Sequence, residues 1–417
     1  MDTTGIDKKD AGEPPQYCST MTVTETASSI GLFDADNHYY EAEDAFTRYQ
    51  ARGMANRCMQ WVTTNDKRRL LVAGSMNRFI ANPTFDPIAR PGCLDAWYKG
   101  TLQVTEIRDA FGELEPLASR PEYRDRDARL ALMDRQGLEG ALLFPTLGVG
   151  IEQALAHDID ALQHAFSCFN RWLHDDWGFA YRERIFAAPY FSLSDVDAAV
   201  ADLEWAIERD ARVVCLRAAP VPTASGTRSP ADPQFDPFWH RVNEAGLVVA
   251  FHTGDSGYTA QTDAWEPFGS FRSFQFTPFR LLSGDRPTFD AIGALICHGL
   301  FARFPKVRVA SIENGAAWVD NLAKKLNKIA VTYGHAFAEP PVETLRRHVF
   351  VSPFHEEDPG HYIDLLGAEQ VIFGSDFPHA EGIAEPRTYV NDLAGQPEDV
   401  IDKVMRTNTR GLTRRAA

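Results

Sequence analysis

The stretch Phe373-Gly374-Ser375-Asp376-Phe377-Pro378-His379 ends an apolar run on an aspartate. A buried strand ordinarily excludes a carboxylate, because carboxylates are almost never buried unless they are paired or bind a metal. Two other apolar runs end on polar residues in the same way, at Asp34-Ala35-Asp36-Asn37-His38 and at Phe251-His252-Thr253. Side chains of this kind at the carboxyl ends of separate strands are typical of a (β/α)8 TIM barrel with its site on the top face.

Short apolar runs alternate with helix-length amphipathic segments along most of the chain, which favours βα units and a parallel sheet. We therefore predict an α/β fold in which eight strands close into one TIM barrel. The predicted strands are Ile30–Asp36, Leu138–Pro145, Ile185–Phe191, Arg212–Arg217, Leu247–His252, Val307–Glu313, His348–Ser352 and Gln370–Asp376. The predicted helices are Asp158–Tyr181, Asp195–Glu208, Pro237–Ala245, Thr288–Phe304, Ala316–Thr332 and a terminal helix near Glu398–Arg406.

The domain prediction is a disordered tail over 1–29 and a single metal-dependent barrel domain over 30–417. Two insertions, at about 46–136 and 256–287, interrupt the regular spacing at the C-terminal face of the strands. Long loops inside a compact domain are usually functional, so we expect both to form substrate walls. The second contains the aromatic residues Tyr258, Trp265, Phe268, Phe271, Phe274, Phe276 and Phe279, which could instead pack only within their own loop.

Composition limits the kinds of partner. A net charge of −16 argues against a nucleic-acid partner or an anionic membrane, because both reward a basic surface. The polar segment Met1–Ser29 lacks the apolar core of a signal peptide, and the six cysteines are scattered without a CxxC pair. We expect a cytoplasmic protein with no nucleic-acid or membrane partner. A homo-oligomer is left open.

The strand ends supply candidate metal ligands. Because side chains alternate along a strand, Asp36 and His38 lie on the same side of the first strand. With His252 and Asp376, three separate strand ends point to one place at the barrel mouth. The alternative is that each residue is a buried polar group satisfied by its own hydrogen bonds or ion pair.

The sixth strand adds Glu313, so the mouth contains three carboxylates and two imidazoles. This set exceeds what one catalytic ion with an open position needs, and it predicts two hard ions, iron or manganese. Glu313 and Asp376 are also the candidate catalytic residues. Glu41 and His379 are further candidate ligands, although Glu41 could be a loop or helix-start carboxylate and His379 could hydrogen-bond Asp376.

Three other polar residues are weaker candidates. His298 lies inside a predicted helix below the mouth, which favours a structural role. His355 follows the seventh strand in a polar loop and is a candidate substrate or acid–base contact. Arg217 ends the fourth strand, where a buried guanidinium needs a site carboxylate or an anionic substrate.

A group of basic residues stands out in the first insertion of this acidic chain. It could bind the phosphates of a carrier such as coenzyme A, or it could be a solvated face of a hairpin over 61–72. The group consists of Arg57, Lys67, Arg68, Arg69 and Arg78.

These motifs resemble the amidohydrolase-related metal-dependent TIM barrels, a group that includes dihydroxybenzoate decarboxylases. The resemblance covers about Gly31 to Thr409. It is carried by Asp34-x-Asp36-x-His38-x-x-Glu41, by His252, by Gly299-Leu300-Phe301-Ala302-Arg303-Phe304-Pro305 and by Gly374-Ser375-Asp376-Phe377-Pro378-His379.

The sixth strand departs from the pattern of those decarboxylases, which place a catalytic histidine after a glycine there. Here the strand ends on Ile312-Glu313-Asn314. Together with Asp36-Asn37-His38 on the first strand, this ending is similar to a branch of nonheme diiron monooxygenases, whose members act largely on CoA-linked substrates.

The resemblance therefore implies a diiron monooxygenase that hydroxylates an apolar acyl group, such as a diterpenoid one, carried as a CoA thioester. Its cofactors would be two Fe ions, and its partners a small-molecule substrate, dioxygen and an electron donor. The alternative is a mononuclear zinc or manganese hydrolase or decarboxylase. A metal-free binding protein is disfavoured, because it would bury several uncompensated carboxylates.

Overall fold

The strands of the barrel begin at the start of the described chain. The computed structural model describes residues 30–102, 107–266 and 277–414. The predicted tail over 1–29 and the aromatic residues Phe268, Phe271, Phe274 and Phe276 lie outside the described residues. Within the described chain the strands are β1 (Leu32–Tyr39), β2 (Met59–Thr64), β3 (Lys67–Val72), β4 (Ser75–Met76), β5 (Leu138–Pro145), β6 (Ile185–Ala187), β7 (Val213–Arg217), β8 (Val221–Thr223), β9 (Gly226–Arg228), β10 (Val248–His252), β11 (Arg308–Ile312) and β12 (Val349–Val351).

Two parallel sheets form most of the barrel wall. One has the strand order β1-β5-β6, and the other has the order β12-β11-β10-β7. Bridges join the two sheets on both sides. Tyr190, just after β6, pairs with Cys215 of β7, and the segment 371–377 pairs with β12 at Val371 and with β1 at Phe377.

Backbone hydrogen bonds close the ring at the eighth position. The amide of Ala35 donates to the carbonyl of Phe373 at 2.8 Å, and the amide of Asp376 donates to the carbonyl of Asp36 at 2.9 Å. The predicted (β/α)8 TIM barrel is therefore confirmed. The eighth predicted strand, Gln370–Asp376, is held by single bridges rather than by a continuous ladder.

Helices connect the strands and pack on the outside of the barrel. Asp158 and Asp195 cap two of them, because their side chains accept hydrogen bonds from the amides of Ala161 and Ala198. The described α-helices are Asp95–Tyr98, Ile107–Phe111, Arg126–Gln136, Ile151–Leu155, Ile159–Asp176, Val196–Ile207, Asp236–Ala245, Thr259–Trp265, Pro278–Leu282, Arg286–Cys297, Leu300–Arg303, Trp318–Tyr333, Pro341–His348, Pro359–Leu366, Glu398–Asp402 and Asn408–Leu412. No helix in the described part of the chain is long and apolar enough to cross a bilayer.

Two predicted helices are interrupted in the structure. The helix predicted over Thr288–Phe304 is split at Gly299, whose φ of +69° is a left-handed conformation that ends a helix readily. The predicted terminal helix near Glu398–Arg406 contains a wider π-helical turn over Lys403–Thr407.

The first insertion folds back onto the top of the barrel. Its predicted hairpin is confirmed as β2 and β3, which pair antiparallel from Met59 opposite Val72 to Thr64 opposite Lys67. Farther along, the amide of Gly92 donates to the carbonyl of His379 at 3.0 Å. The amide of Leu94 donates to the carbonyl of Ala380 at 2.8 Å. The insertion is thus anchored to the loop that follows the eighth strand position.

Leu143 tests the packing of the barrel wall, because it lies at the middle of β5 and is fully buried. Leu143→Ala should lower the free energy of unfolding by about 2–5 kcal/mol through lost burial and the cavity left behind. Leu281→Ala is the matched control, since that side chain is 51% exposed. Chemical denaturation of both variants measures the difference, and equal losses would contradict the assigned burial.

Candidate metal centre

The end of β1 presents Asp36 and His38 to the barrel mouth. The pairing of β1 with β5 shifts register between Asp34 and Asn37, which marks a bulge at this end of the strand. Bulges are frequent next to active sites, where they re-aim side chains. Asp36 Oδ1 lies 3.3 Å from His38 Nε2, and both side chains are buried. The prediction that the two residues lie on the same side is confirmed.

His252 ends β10 and enters the same space. Its Nδ1 donates to the carbonyl of Thr253 at 2.8 Å, because a carbonyl oxygen can only accept. This bond leaves the Nε2 lone pair free to face His38 Nε2, which is 3.2 Å away. A backbone carbonyl that fixes the tautomer in this way is a common partner of metal-binding histidines.

Glu313 and Asp376 follow two other strand positions, and both have a left-handed backbone with φ of +54°. This conformation is costly for residues other than glycine, and such strain concentrates at functional sites. Close packing at Gly374 also brings the eighth strand position against the end of β1. A Cβ there would lie 2.7 Å from Asp36 Cβ, so only glycine lets the two strand ends approach.

The donor atoms of the other four residues cluster around His38 Nε2. His38 Nε2 lies 3.5 Å from Glu313 Oε2 and 3.4 Å from Asp376 Oδ1. His252 Nε2 lies 3.1 Å from Glu313 Oε2 and 3.5 Å from Asp36 Oδ1. Below, the candidate metal centre means Asp36, His38, His252, Glu313 and Asp376.

The charges in the centre demand a cation. Burial alone would lower the pKa of His38, but the carboxylates of Asp36 and Glu313 outweigh burial and raise it to about 9. Burial, followed by the charges of Glu313 and Asp36, raises the pKa of Asp376 well above its usual range. Burial also acts to raise the pKa of Asp36, yet the imidazoles of His252 and His38 hold it well below the usual value. Protons therefore supply the positive charge that the carboxylates need.

A divalent ion fits this donor set. Ligand atoms about 2.0–2.2 Å from one ion are separated by roughly 3–3.5 Å, as these atoms are. Asp36 Oδ1 is buried and has no well-aligned hydrogen-bond donor among the described residues. The donors fall into two overlapping sets, Asp36, His38, His252 and Glu313, and His38, Glu313, Asp376 and His379. His38 Nε2 belongs to both, and an imidazole nitrogen binds a single ion, so the geometry favours one ion rather than two.

The structure separates the two further candidate ligands. Glu41 is fully buried, but its Oε1 accepts the amides of Leu147 and Gly148, each at 2.9 Å, and the donor sets do not include it. Beyond the end of β1 the chain carries Glu41 toward the loop after β5. His379 belongs to the second set, yet its Nδ1 lies 2.6 Å from Asp376 Oδ1. This hydrogen bond is the alternative role considered for His379.

The three weaker candidates lie outside the donor sets. His298 is exposed, and its Nδ1 lies 2.8 Å from Ser229 Oγ. His355 is buried rather than solvated, and its Nε2 lies 2.7 Å from Asp95 Oδ1 in the first insertion. Arg217 is paired in register with His252, but its guanidinium contacts Gln153, the Pro220 carbonyl and Glu152.

Sequence reasoning missed two residues near the centre. Thr146 Oγ1 donates to the carbonyl of Tyr39 at 2.9 Å and therefore accepts from His379 Nε2 at 3.0 Å. Glu381 follows His379, and burial together with the charge of Glu313 raises its pKa to about 7. Thr146 directly follows β5, so the same search for polar residues at strand ends could have found it. Glu381 carries no such signal, because it lies in an irregular loop.

The basic residues of the first insertion do not all face the same site in the structure. Arg57 pairs with Asp158, and Arg68 pairs with Glu43 at 2.8 Å. A cavity of about 790 Å³ lies beside the hairpin and is lined by basic and acidic residues. Its charged lining residues are Glu43, Asp66, Lys67, Arg68, Arg69, Asp86, Arg120 and Arg124.

Comparison with known proteins identifies a family that the chain matches. A family model described as Amidohydrolase matches residues 33–414. The solved structure of an amidohydrolase from Mycobacterium avium subsp. paratuberculosis K-10 is 40% identical, with a TM-score of 0.88 over 93% of this chain and 100% of that chain. Among curated proteins, none matches the sequence.

More distant structures share the fold. The 5-carboxyvanillate decarboxylase of Sphingomonas paucimobilis is 18% identical, with a TM-score of 0.54 over 93% of this chain and 100% of that chain. A dihydroxybenzoic acid decarboxylase from Polaromonas sp. JS666, solved with bound manganese and an inhibitor, is 14% identical. Its TM-score is 0.57 over 92% of this chain and 97% of that chain.

These findings correct the predicted reaction. The predicted diiron monooxygenase was wrong, because the family model and the 40% identical relative are amidohydrolases. The ligand count that suggested two irons treated as independent the donors of two sets that share His38 and Glu313. The predicted alternative, a metal-dependent hydrolase or decarboxylase, agrees better with the comparisons. Since the family model spans nearly the whole described chain, this protein belongs to the amidohydrolase family.

Proposed function

We propose that the protein is a metal-dependent hydrolase that uses one divalent ion, manganese or zinc. The observation that carries this proposal is the clustering of His252 Nε2 and three carboxylates within 3.5 Å of His38 Nε2. Mixed oxygen and imidazole donors suit manganese or zinc. The 40% identical amidohydrolase supports hydrolysis.

A second candidate function is nonoxidative decarboxylation of a hydroxylated aromatic acid. Its support is the shared fold with the manganese-containing dihydroxybenzoic acid decarboxylase. Against it stands Glu313, at the position where the resemblance leads one to expect a catalytic histidine. We therefore place hydrolysis first.

The residues of the centre have distinct roles in a hydrolytic reaction. When bound, the ion would lower the pKa of a water molecule and polarise the scissile group. Asp36, His38, His252 and Glu313 would hold it. Asp376, whose Oδ1 lies 3.4 Å from His38 Nε2 and 2.6 Å from His379 Nδ1, is placed to accept a proton and return it to the leaving group. His379, bonded to both Asp376 and Thr146, orients that carboxylate.

The substrate remains a prediction. The cavity beside the hairpin adjoins the residues that follow His38, since Arg124 donates to the carbonyls of Tyr40 and Glu41. Lys67, Arg69 and Arg124 on its wall would suit an anionic group, and a CoA-linked small molecule stays the predicted example. The cytoplasmic location, the lack of a nucleic-acid or membrane partner and a homo-oligomer also stay predictions, as does the single domain over 30–417.

Metal content tests the stoichiometry. Protein purified without added metal and then loaded should contain about one manganese or zinc per chain, because the two donor sets share His38. Elemental analysis before and after dialysis against a chelator gives the number. Two ions per chain at saturation would contradict the single-ion centre.

Isotope labelling tests the reaction class. With a panel of esters, lactones and amides, the manganese- or zinc-loaded protein should form product carrying oxygen from labelled water, with and without dioxygen. The chelator-treated protein should be inactive. Release of carbon dioxide from hydroxybenzoic acids, without incorporation of label from water, would instead support the decarboxylase.

Glu313→Gln tests the residue that departs from the decarboxylase pattern. Loss of the negative charge should weaken metal binding by more than the roughly 10–100-fold that is typical when a residue that only orients a ligand is changed, while the barrel stays folded. Glu356→Gln is the matched control, because Glu356 is an exposed carboxylate on the same face. Metal dissociation constants and circular dichroism are measured together. Metal affinity equal to that of the control would remove Glu313 from the ligand set.

A further inference from the structure

We infer that Arg129 is a positioning residue for the metal centre, which it orients by holding β1 at Asn37 and His38 and, through Asn37, at Asp34. The inference rests on the proposed function, because it concerns how the same centre is held. Arg129 lies on the helix Arg126–Gln136, which packs outside the barrel and immediately precedes β5. It does not touch the donor atoms themselves.

The guanidinium of Arg129 makes three hydrogen bonds at once. Its Nη2 donates to the carbonyl of His38 at 2.7 Å, and its Nε donates to the carbonyl of Glu122 at 2.8 Å. Its Nη1 donates to Asn37 Oδ1. The contact with His38 acts directly on a residue of the metal centre. The contact with Asn37 extends the network.

Asn37 passes the constraint to a buried carboxylate. Because its Oδ1 accepts from Arg129, its amide group must point Nδ2 the other way, and Nδ2 donates to Asp34 Oδ2 at 2.9 Å. Asp34 Oδ1 in turn accepts the backbone amides of Asp36 at 3.0 Å and of Ser375 at 2.9 Å. The network that starts at Arg129 therefore reaches the backbone at Asp36 and the residue before Asp376.

Burial of the charged Arg129 guanidinium costs free energy. The side chain is fully buried, and within residues 30–102, 107–266 and 277–414 no carboxylate forms an ion pair with it. Burial lowers its pKa to about 10. Its neighbours include the rings of Tyr123, Trp177 and Phe377, with Cζ 5.7–5.9 Å from the ring centres. An apolar side chain would fill such a space at lower cost, so the polar contacts are the reason for an arginine here.

The bulge explains why β1 needs this support. The register shift between Asp34 and Asn37 interrupts the regular ladder to β5 where the ligands lie. Hydrogen bonds that Arg129 donates and Asp34 accepts hold β1 at and beside this interruption. Lysine cannot substitute, because its single ammonium group cannot reach three separate acceptors in the plane that the guanidinium fork occupies.

The test measures manganese affinity in the full-length protein, with the metal alone as the probe. The variants are Arg129→Lys, Arg129→Met and Asn37→Ala, and the control is Arg135→Met, an exposed arginine on the same helix. We expect the three variants to bind manganese about 10–100-fold more weakly, as when residues that orient metal ligands are changed. The electron paramagnetic resonance spectrum of bound manganese should also change, because the ligand geometry does. The control should match the wild type in both measurements.

Thermal unfolding of the metal-free proteins separates positioning from simple loss of stability. If Arg129→Met does not fold, Arg129→Lys and Asn37→Ala carry the test. Folded variants with wild-type affinity and an unchanged spectrum overturn this inference alone. A wild-type protein that binds neither manganese nor zinc overturns the proposed function, and this inference with it.

Discussion

The repulsion among three carboxylates, one of them buried and two partly buried, is the constraint on which the rest of the structure depends. Asp36, Glu313 and Asp376 each lie within 3.5 Å of His38 Nε2. Such a group holds together only if positive charge lies between its members. A divalent ion supplies that charge in the proposed enzyme, and the raised pKa of His38 shows that a proton takes over part of the role without it.

Strand periodicity made much of this centre predictable. Asp36, His38, His252 and Asp376 each end an apolar run, and parallel strands of a barrel bring such ends to one face. The position of Glu41 could not be predicted from strand periodicity. Once the chain leaves β1, the alternation of side chains no longer decides direction, and backbone amides after β5 capture the carboxylate.

The number of ions and the reaction could not be derived in the same way. Counting ligands along the sequence treats each as independent, whereas in space His38 Nε2 serves both donor sets. Arg129 shows a related limit. It occupies the buried face of its helix with Leu130 and Met133, where a sequence pattern suggests packing. Only the folded chain shows that its partners are Asn37 and the carbonyl of His38.

The left-handed backbone at Glu313 and Asp376 places two carboxylates in the centre but lowers the stability of the barrel. Glycine would adopt the same φ of +54° without the steric cost, which is of the order of 1 kcal/mol per residue. A search for heat-resistant variants that ignores activity would therefore favour glycine at these two positions. It would enrich barrels that are more heat-resistant and have lost two carboxylates of the centre. In this fold, resistance to heat competes with ion binding at Glu313 and with proton transfer at Asp376.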